Sequence, residues 1–306
     1  MLPSITLGSQ TVYLYNVIVI TEYLSVPVIM LLLHKRFGVT RKKALGTALF
    51  TLVCGFFALQ LTSVIANGIL TAVSGGEFTP YEQQSSYGLP LFIPVFFVLV
   101  CLLFRKSFRR LTDYAAPCVF CVQMLGKVAC SFNGCCYGPE CDFGFYSEIA
   151  EYKTFPVQVF DAATCAVIFI LCLILTFTFA KKHQGYLFPI CGTLYAAQKA
   201  FWEEFRVYPN EWEGNFLGTG RTYWQYFLCV LLIGSLIWLI GVILWEKKGK
   251  PDFDTATFLH VPDLGWELQK AYKKVYDKLA GKDPNKTAQH HKKKKKKNNK
   301  SVKTRK

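Results

Sequence analysis

The sequence predicts an all-α membrane protein of about seven transmembrane helices, with an outside amino terminus, a cytoplasmic carboxyl terminus and small extracytoplasmic loops. Three observations carry this. Of 306 residues, 52% are apolar and 18% charged, too apolar for helices that each show a single apolar stripe. The apolar residues fall into runs near the 20 or so needed to cross a bilayer. The basic residues fall between alternate runs.

The runs lie at about 12–33, 44–66, 88–104, 113–130, 157–180, 186–205 and 221–245. The second, fifth and seventh are the most apolar. The fourth contains Gln123 and Lys127, and the sixth contains Gln198, Lys199, Glu203 and Glu204. Polar side chains in hydrocarbon are costly and persist where they face a bundle interior or a wet cavity, so these two spans carry the chemistry. The first run is full length and lacks a basic start, so no cleaved leader is expected.

Basic clusters follow spans one, three, five and seven: Lys35 to Lys43, Arg105 to Arg110, Lys181 with Lys182, and Lys247 onward. The excess of Lys and Arg on cytoplasmic loops puts that side inside. The amino terminus and the segments near 67–87, 131–156 and 206–220 are then outside. The net charge of +15 does not describe the body, because residues 247–306 hold 19 of the 35 Lys and Arg beside 6 of the 20 Asp and Glu. We therefore expect a membrane domain over 1–250, a basic amphipathic membrane-surface segment over 251–282 and a disordered poly-Lys tail over 283–306. In the second of these, Leu268, Tyr272, Val275, Tyr276 and Leu279 share one helical face. For such a tail the anionic inner leaflet, rather than nucleic acid, is the expected partner.

The outer segments hold Ser131-Phe-Asn-Gly-Cys-Cys-Tyr-Gly-Pro139, whose Asn-Gly and Tyr-Gly-Pro steps signal a compact turn. On a helix, Tyr195, Lys199, Glu203 and Arg206 recur at steps of four, four and three and so share a face. Among twelve cysteines, Cys118-x-x-Cys121 has zinc-ligand spacing, yet it lies inside a span with no His beside it, and no metal or other cofactor is expected. Cys135, Cys136 and Cys141 face the exterior, where a disulfide to Cys141 is one outcome. The remaining cysteines read as small core residues.

Gly126-Lys-Val-Ala-Cys-Ser-Phe-Asn-Gly-Cys-Cys-Tyr-Gly138 resembles the signature of bacterial prolipoprotein diacylglyceryl transferases. In that signature a Gly-Arg pair leads to Asn-Phe, an Asn-Gly step and an aromatic-Gly turn. Asp113-Tyr-Ala-Ala-Pro117 resembles the family's Asp-x-x-Ala-Pro. Phe155-Pro-Val-Gln-Val-Phe-Asp161 resembles its His-Pro-Ser-Gln-Leu-Tyr-Glu. Tyr195 to Arg206 resembles its Tyr, Arg, Glu and Phe-Arg, and Gln225 the Gln of its Met-Gly-Gln.

The resemblance implies a multi-pass enzyme of the bacterial plasma membrane. Such an enzyme moves a diacylglyceryl group from phosphatidylglycerol to the lipobox cysteine of a prolipoprotein, whose signal peptide it binds. It implies Tyr87, Asn133, Tyr195 and Glu203 as catalytic positions. Lys127, Gly138, Lys199, Arg206 and Gln225 are implied to bind substrate. The chain departs from the family where its Arg residues become Lys127 and Lys199, its His becomes Tyr87, and its acidic residue after Asn-Gly becomes Cys135. Lys meets phosphate as a point charge without the bidentate fork of Arg. Blander readings stand beside these: Lys127 snorkelling to headgroups, Lys199 paired with Glu203, Asn133 as a turn residue, Tyr87 as an interfacial aromatic. A non-catalytic lipid-binding or assembly relative and a small-solute transporter are the other function classes.

Overall fold

The computed structural model describes residues 4–7, 10–75, 78, 85–104, 107–147, 150–208, 215–248, 270–271 and 274–275. The chain divides into two units. The first, 1–99 with 107–253, holds nearly all the described structure. In the second, 100–106 with 254–306, the described residues are the end of one helix and two short helical stretches at 270–271 and 274–275. Most of the expected amphipathic segment and the whole lysine tail lie outside the described residues.

Among the described residues seven α-helices follow the seven apolar runs: α1 (Leu14–Leu33), α2 (Arg41–Ser74), α3 (Leu89–Phe104), α4 (Phe108–Asn133), α5 (Val157–Thr178), α6 (Leu187–Glu203) and α7 (Tyr223–Lys247). Five of them, α1, α2, α4, α5 and α7, are long and apolar enough to cross a membrane. The other two are shorter, α3 within a residue of its run and α6 three residues shorter than its own. α3 has 16 residues and α6 has 17, against the roughly 20 a straight crossing takes. α6 stops where Glu203 and Arg206 turn back into the protein.

The mostly helical chain also carries two small antiparallel hairpins that the apolar runs do not announce. β1 (Ser4–Leu7) pairs with β2 (Gln10–Tyr13), and β3 (Glu140–Ser147) with β4 (Tyr152–Thr154). The second hairpin follows the expected compact turn of Ser131 to Pro139, in the acidic and aromatic stretch where Phe143, Phe145 and Tyr146 favour extended backbone.

Burial runs against apolarity. α4 is the least apolar of the five long helices, yet 56% of its best spanning stretch is buried, against 22–33% in the other four. It packs chiefly on α1 and α5, while α6 packs on α7. The outer helices show Leu32, Leu49, Val167 and Ile237 on their surfaces, as lipid-facing helices do. Polar side chains of α4 are thus paid for by protein neighbours rather than by hydrocarbon.

The start of α4 is fixed first. The Ser107 side chain caps it by accepting the Arg110 N–H at 3.4 Å. Asp113, from the motif at that end, accepts the Gly185 and Leu187 N–H groups at 2.5 and 3.0 Å, which ties α4 to the first turn of α6. Arg36 donates to the Thr176 and Phe177 carbonyls at 3.0 and 2.6 Å and so closes the last turn of α5. At the far end α4 stops at Gly134, whose φ of 72° is the left-handed cap glycine allows.

Gly88, in the 3-10 turn Ser86–Gly88 before α3, is pressed against α2. A β-carbon there would sit 1.5 Å from Thr62 Oγ1 and 2.8 Å from Thr62 Cβ. Thr62 is fixed, since its hydroxyl donates to the Ala58 carbonyl at 2.6 Å. Gly88→Ala should therefore destabilise the protein by about 1–3 kcal/mol, read as a lower unfolding temperature in detergent. A second substitution, Thr62→Gly, should recover part of the loss. An unchanged unfolding temperature in the single variant would contradict this packing.

Candidate functional site

Where α4, α5 and α6 finish or start together, three buried charges from three helices meet. Lys199 Nζ donates to Asp161 Oδ1 and Oδ2 at 2.5 and 2.6 Å. Lys127 Nζ lies 3.3 Å from Asp161 Oδ2. Lys127, Asp161 and Lys199 are 5%, 3% and 1% exposed, so Lys127 does not snorkel to an interface and Lys199 is not the partner of Glu203. The Tyr87 ring lies beside both ammonium groups, 5.2 Å from Lys127 Nζ and 5.8 Å from Lys199 Nζ; the Tyr195 ring is 5.3 Å from Lys199 Nζ. Aromatic faces at this range attract cations.

A second layer begins one turn further along α6. The Glu203 carboxylate accepts from the Tyr87 hydroxyl at 2.9 Å, from Arg206 at 3.3 Å, from the Thr222 hydroxyl at 3.4 Å and from the Tyr208 hydroxyl. The Tyr87 hydroxyl itself accepts from Arg206 at 3.0 Å. Tyr87 is only 3% exposed, so the interfacial-belt reading does not hold for it. It is a bridge between an acid and a guanidinium. Arg206 Nε is buried and has no hydrogen-bond partner among the described residues, a costly state for a cationic donor unless a ligand takes it.

Backbone stitches hold the layers together. Gly138 N–H donates to the Phe155 carbonyl at 3.0 Å, Phe155 N–H to the Pro139 carbonyl at 2.8 Å, and Val207 N–H to the Tyr137 carbonyl at 3.1 Å. A β-carbon at Gly138 would lie 2.9 Å from the carbonyl oxygens of both Phe155 and Phe205, so glycine is needed there for close approach. Phe155 and Phe160, which stand where the resembling family has His and Tyr, stack on one another at 5.4 Å, and Phe160 stacks on Trp202 at 5.6 Å.

The structure thus unites Tyr87, Lys127, Lys199, Glu203 and Arg206. Tyr195 joins through a relay: its hydroxyl donates to Gln123 Oε1 at 2.9 Å, and Gln123 Nε2 donates to the Ser86 carbonyl at 2.6 Å. Gln225 stands further back. Its side chain accepts the Thr222 N–H at 2.8 Å, capping α7 and so placing the Thr222 hydroxyl toward Glu203. Asn133, at the end of α4, contacts the Cys135 thiol and is not part of the ionic cluster. Asp161 was absent from the residues nominated by sequence; a carboxylate inside an apolar run was the signal for it. Tyr208 was missed as well.

Beside Arg206 lie three thiols. Arg206 donates to Cys136 Sγ at 3.1 Å. The neighbouring Cys130 and Cys135 thiols, and after them the positive charges of Arg206 and Lys127, hold the Cys136 thiol well below its ordinary pKa. All twelve cysteines are free thiols, so the structure contains no disulfide to Cys141.

The sequence profile of the prolipoprotein diacylglyceryl transferase family matches residues 3–244. One similar relative, a phosphatidylglycerol–prolipoprotein diacylglyceryl transferase from Dehalococcoides mccartyi, is 28% identical over 150 residues, which cover 44% of this chain and 58% of the relative. A second of the same name, from another strain of that species, is 39% identical over 97 residues, 28% of this chain and 36% of the relative. The chain thus aligns with roughly half the length of these curated relatives or less. The match of the family profile over most of the chain, including every residue of the ionic cluster, makes it a member of the prolipoprotein diacylglyceryl transferase family.

Proposed function

We propose that the chain transfers a diacylglyceryl group from phosphatidylglycerol to the lipobox cysteine thiol of prolipoproteins, at the site formed by Lys127, Lys199 and Arg206. One observation carries this reading. Within the linked network three cations, Lys127, Lys199 and Arg206, face two carboxylates, Asp161 and Glu203. Counting the ammonium, guanidinium and carboxylate groups alone, the cations outnumber the anions by one, with Arg206 also facing the Cys136 thiol, and Arg206 Nε is a donor still to be used. A phosphodiester headgroup brings one negative charge and acceptor oxygens. Gln158 Oε1, buried without a partner among the described residues, is an acceptor for a headgroup hydroxyl.

The chemistry follows from that charge. The leaving group is a phosphate monoester that gains negative charge as the carbon–oxygen bond breaks, and fixed cations in a poorly hydrated site stabilise it. Asp161 pairs with the two ammonium groups and holds them in place before substrate arrives. Tyr87 and Glu203 fix Arg206, so their catalytic contribution is to orient that donor. Tyr195 does the same for α4 through Gln123. Asn133 and Gly138 shape the rim. A cleft of about 40 Å³ lies between α1, α2, α3 and α4, lined by Glu22, Val26, Leu52, Phe56, Leu89 and Ile93 among others.

In the same proposal all seven helices cross or enter the bacterial plasma membrane, with the amino terminus outside and residues 251–282 on the anionic inner leaflet. The signal peptide of the prolipoprotein then approaches from the membrane. A non-catalytic lipid-binding relative is the second reading; the four donors already on the Glu203 carboxylate, which leave it little room to take a substrate proton, favour it.

Transfer of labelled lipid from phosphatidylglycerol to a lipobox peptide in purified membranes tests the activity. Lys127→Arg should retain turnover, since charge is kept and the fork is restored. Lys127→Met keeps the stem and loses the cation. It should lower kcat by roughly 100-fold or more, about 3 kcal/mol. Equal turnover by the Met variant would remove Lys127 from the chemistry, and none from the wild type would favour the lipid-binding reading. For topology, a single thiol placed at Phe78 should react with an impermeant reagent in intact cells, and one placed in the tail should not. The reverse pattern would invert the arrangement.

A further inference from the structure

The three thiols beside Arg206 are unexplained by the reading above. Cys130 lies in the last turn of α4; Cys135 and Cys136 follow in the loop. Their sulfur atoms all lie within 4.8 Å of one another, and those of Cys135 and Cys136 are 3.9 Å apart. Zinc binds thiolate sulfur at about 2.3 Å in tetrahedral geometry, so sulfurs sharing it sit about 3.8 Å apart. The backbone is bent to make this cluster. Left-handed φ values of 72° at Gly134 and 62° at Cys136 fold the loop back onto α4. The second is a conformation that a residue with a β-carbon rarely adopts. Arg206 lies 3.1 Å from Cys136 Sγ and balances a site that would carry one net negative charge as three thiolates and a divalent cation. Among the described residues no fourth His, Cys, Asp or Glu joins the three. A metal with three protein ligands keeps one position open.

We propose that Cys130, Cys135 and Cys136 form a three-thiolate zinc site whose open position takes the sulfur of the acceptor cysteine. The proposal deepens the transferase reading and rests on it for the identity of the acceptor. It supplies what the carboxylate layer lacks, a way to make the acceptor a thiolate, because a coordinated thiol is deprotonated outright. On coordination the thiol proton passes to water. The bound thiolate attacks the glyceryl carbon next to the donor phosphate. A carbon–sulfur bond forms and the carbon–oxygen bond breaks. Its electron pair stays on the phosphate oxygen, and glycerol phosphate leaves with two negative charges, one from the donor and one from the thiolate. Lys127 and Lys199 hold that product. The neutral thioether is a weak ligand and releases the metal for the next acceptor.

The test titrates Co²⁺ alone into the reduced full-length protein in detergent, and then displaces it with Zn²⁺. The proposal expects one tightly held ion per chain, with the visible bands of tetrahedral cobalt and sulfur-to-cobalt charge transfer. Cys130→Ser and Cys136→Ser should each weaken binding roughly 100-fold or more, whereas Cys141→Ser and Cys229→Ser should not. A lipobox peptide should shift the cobalt bands, and its Cys-to-Ser analogue should leave them alone. No tight site in the wild type overturns the proposal, and that measurement does not depend on any variant folding. A Cys135–Cys136 disulfide in reduced preparations does the same, as does unchanged binding in both Ser variants. Cobalt binding with no peptide shift overturns the acceptor role. Cobalt binding with no lipid transfer counts against the transferase reading and leaves the metal site standing.

Discussion

The carboxylate of Asp161, shared between Lys127 and Lys199, is the interaction on which the site depends. Each ammonium alone would cost about 2.5–3.5 kcal/mol at the centre of a membrane helix. Their mutual repulsion would add to that. One carboxylate between them, with the faces of Tyr87 and Tyr195 alongside, offsets both groups where almost no solvent reaches them. The same atom pairs tie α4, α5 and α6 at the end of the bundle where the loops gather. Breaking such a buried group by removing one partner typically costs 3–5 kcal/mol. The pair is therefore both a brace and a store of positive charge.

This arrangement explains how lysine stands where the family has arginine. An arginine fork reaches a phosphate by itself. Two lysines reach the same charge only if something orients them, and Asp161 accepts from both. Arg206, which stands where the resembling family also has arginine, is braced by Glu203 and Tyr87 and keeps one buried N–H without a partner among the described residues. Tyr208 completes the carboxylate layer, and its phenol, buried beside Glu203, is pushed well above its ordinary pKa. It therefore stays a neutral donor across the physiological range.

Much of this was legible in the residues. The positions of the seven helices followed from apolar runs, and the shared face of Tyr195, Lys199, Glu203 and Arg206 followed from helical spacing. The pairing did not. Lys199 and Glu203, four residues apart, suggested a mutual ion pair, but each has a better partner on another element, Asp161 on α5 and Tyr87 before α3. Spacing along one helix cannot report that. Asp161 was quoted as the last residue of the Phe155 motif but not nominated for the site, because the sequence does not show that Lys127 and Lys199 reach it from two other helices. The β3–β4 hairpin was hidden because its aromatic residues also suit a membrane interface. α3 matches its run to within one residue, and α6 ends two residues before its run does, because composition does not mark where a helix turns inward.

The most direct measurement concerns Asp161 itself: thermal unfolding of Asp161→Asn in detergent, with and without added phosphatidylglycerol. Loss of the shared carboxylate should lower the unfolding temperature by roughly 5–10 °C. Phosphatidylglycerol should restore most of the loss, because its net negative headgroup takes the place of the missing anion between Lys127 and Lys199, and phosphatidylcholine, whose choline cation cancels the phosphate charge, should not. An unfolding temperature equal to wild type, or equal rescue by both lipids, would contradict the account.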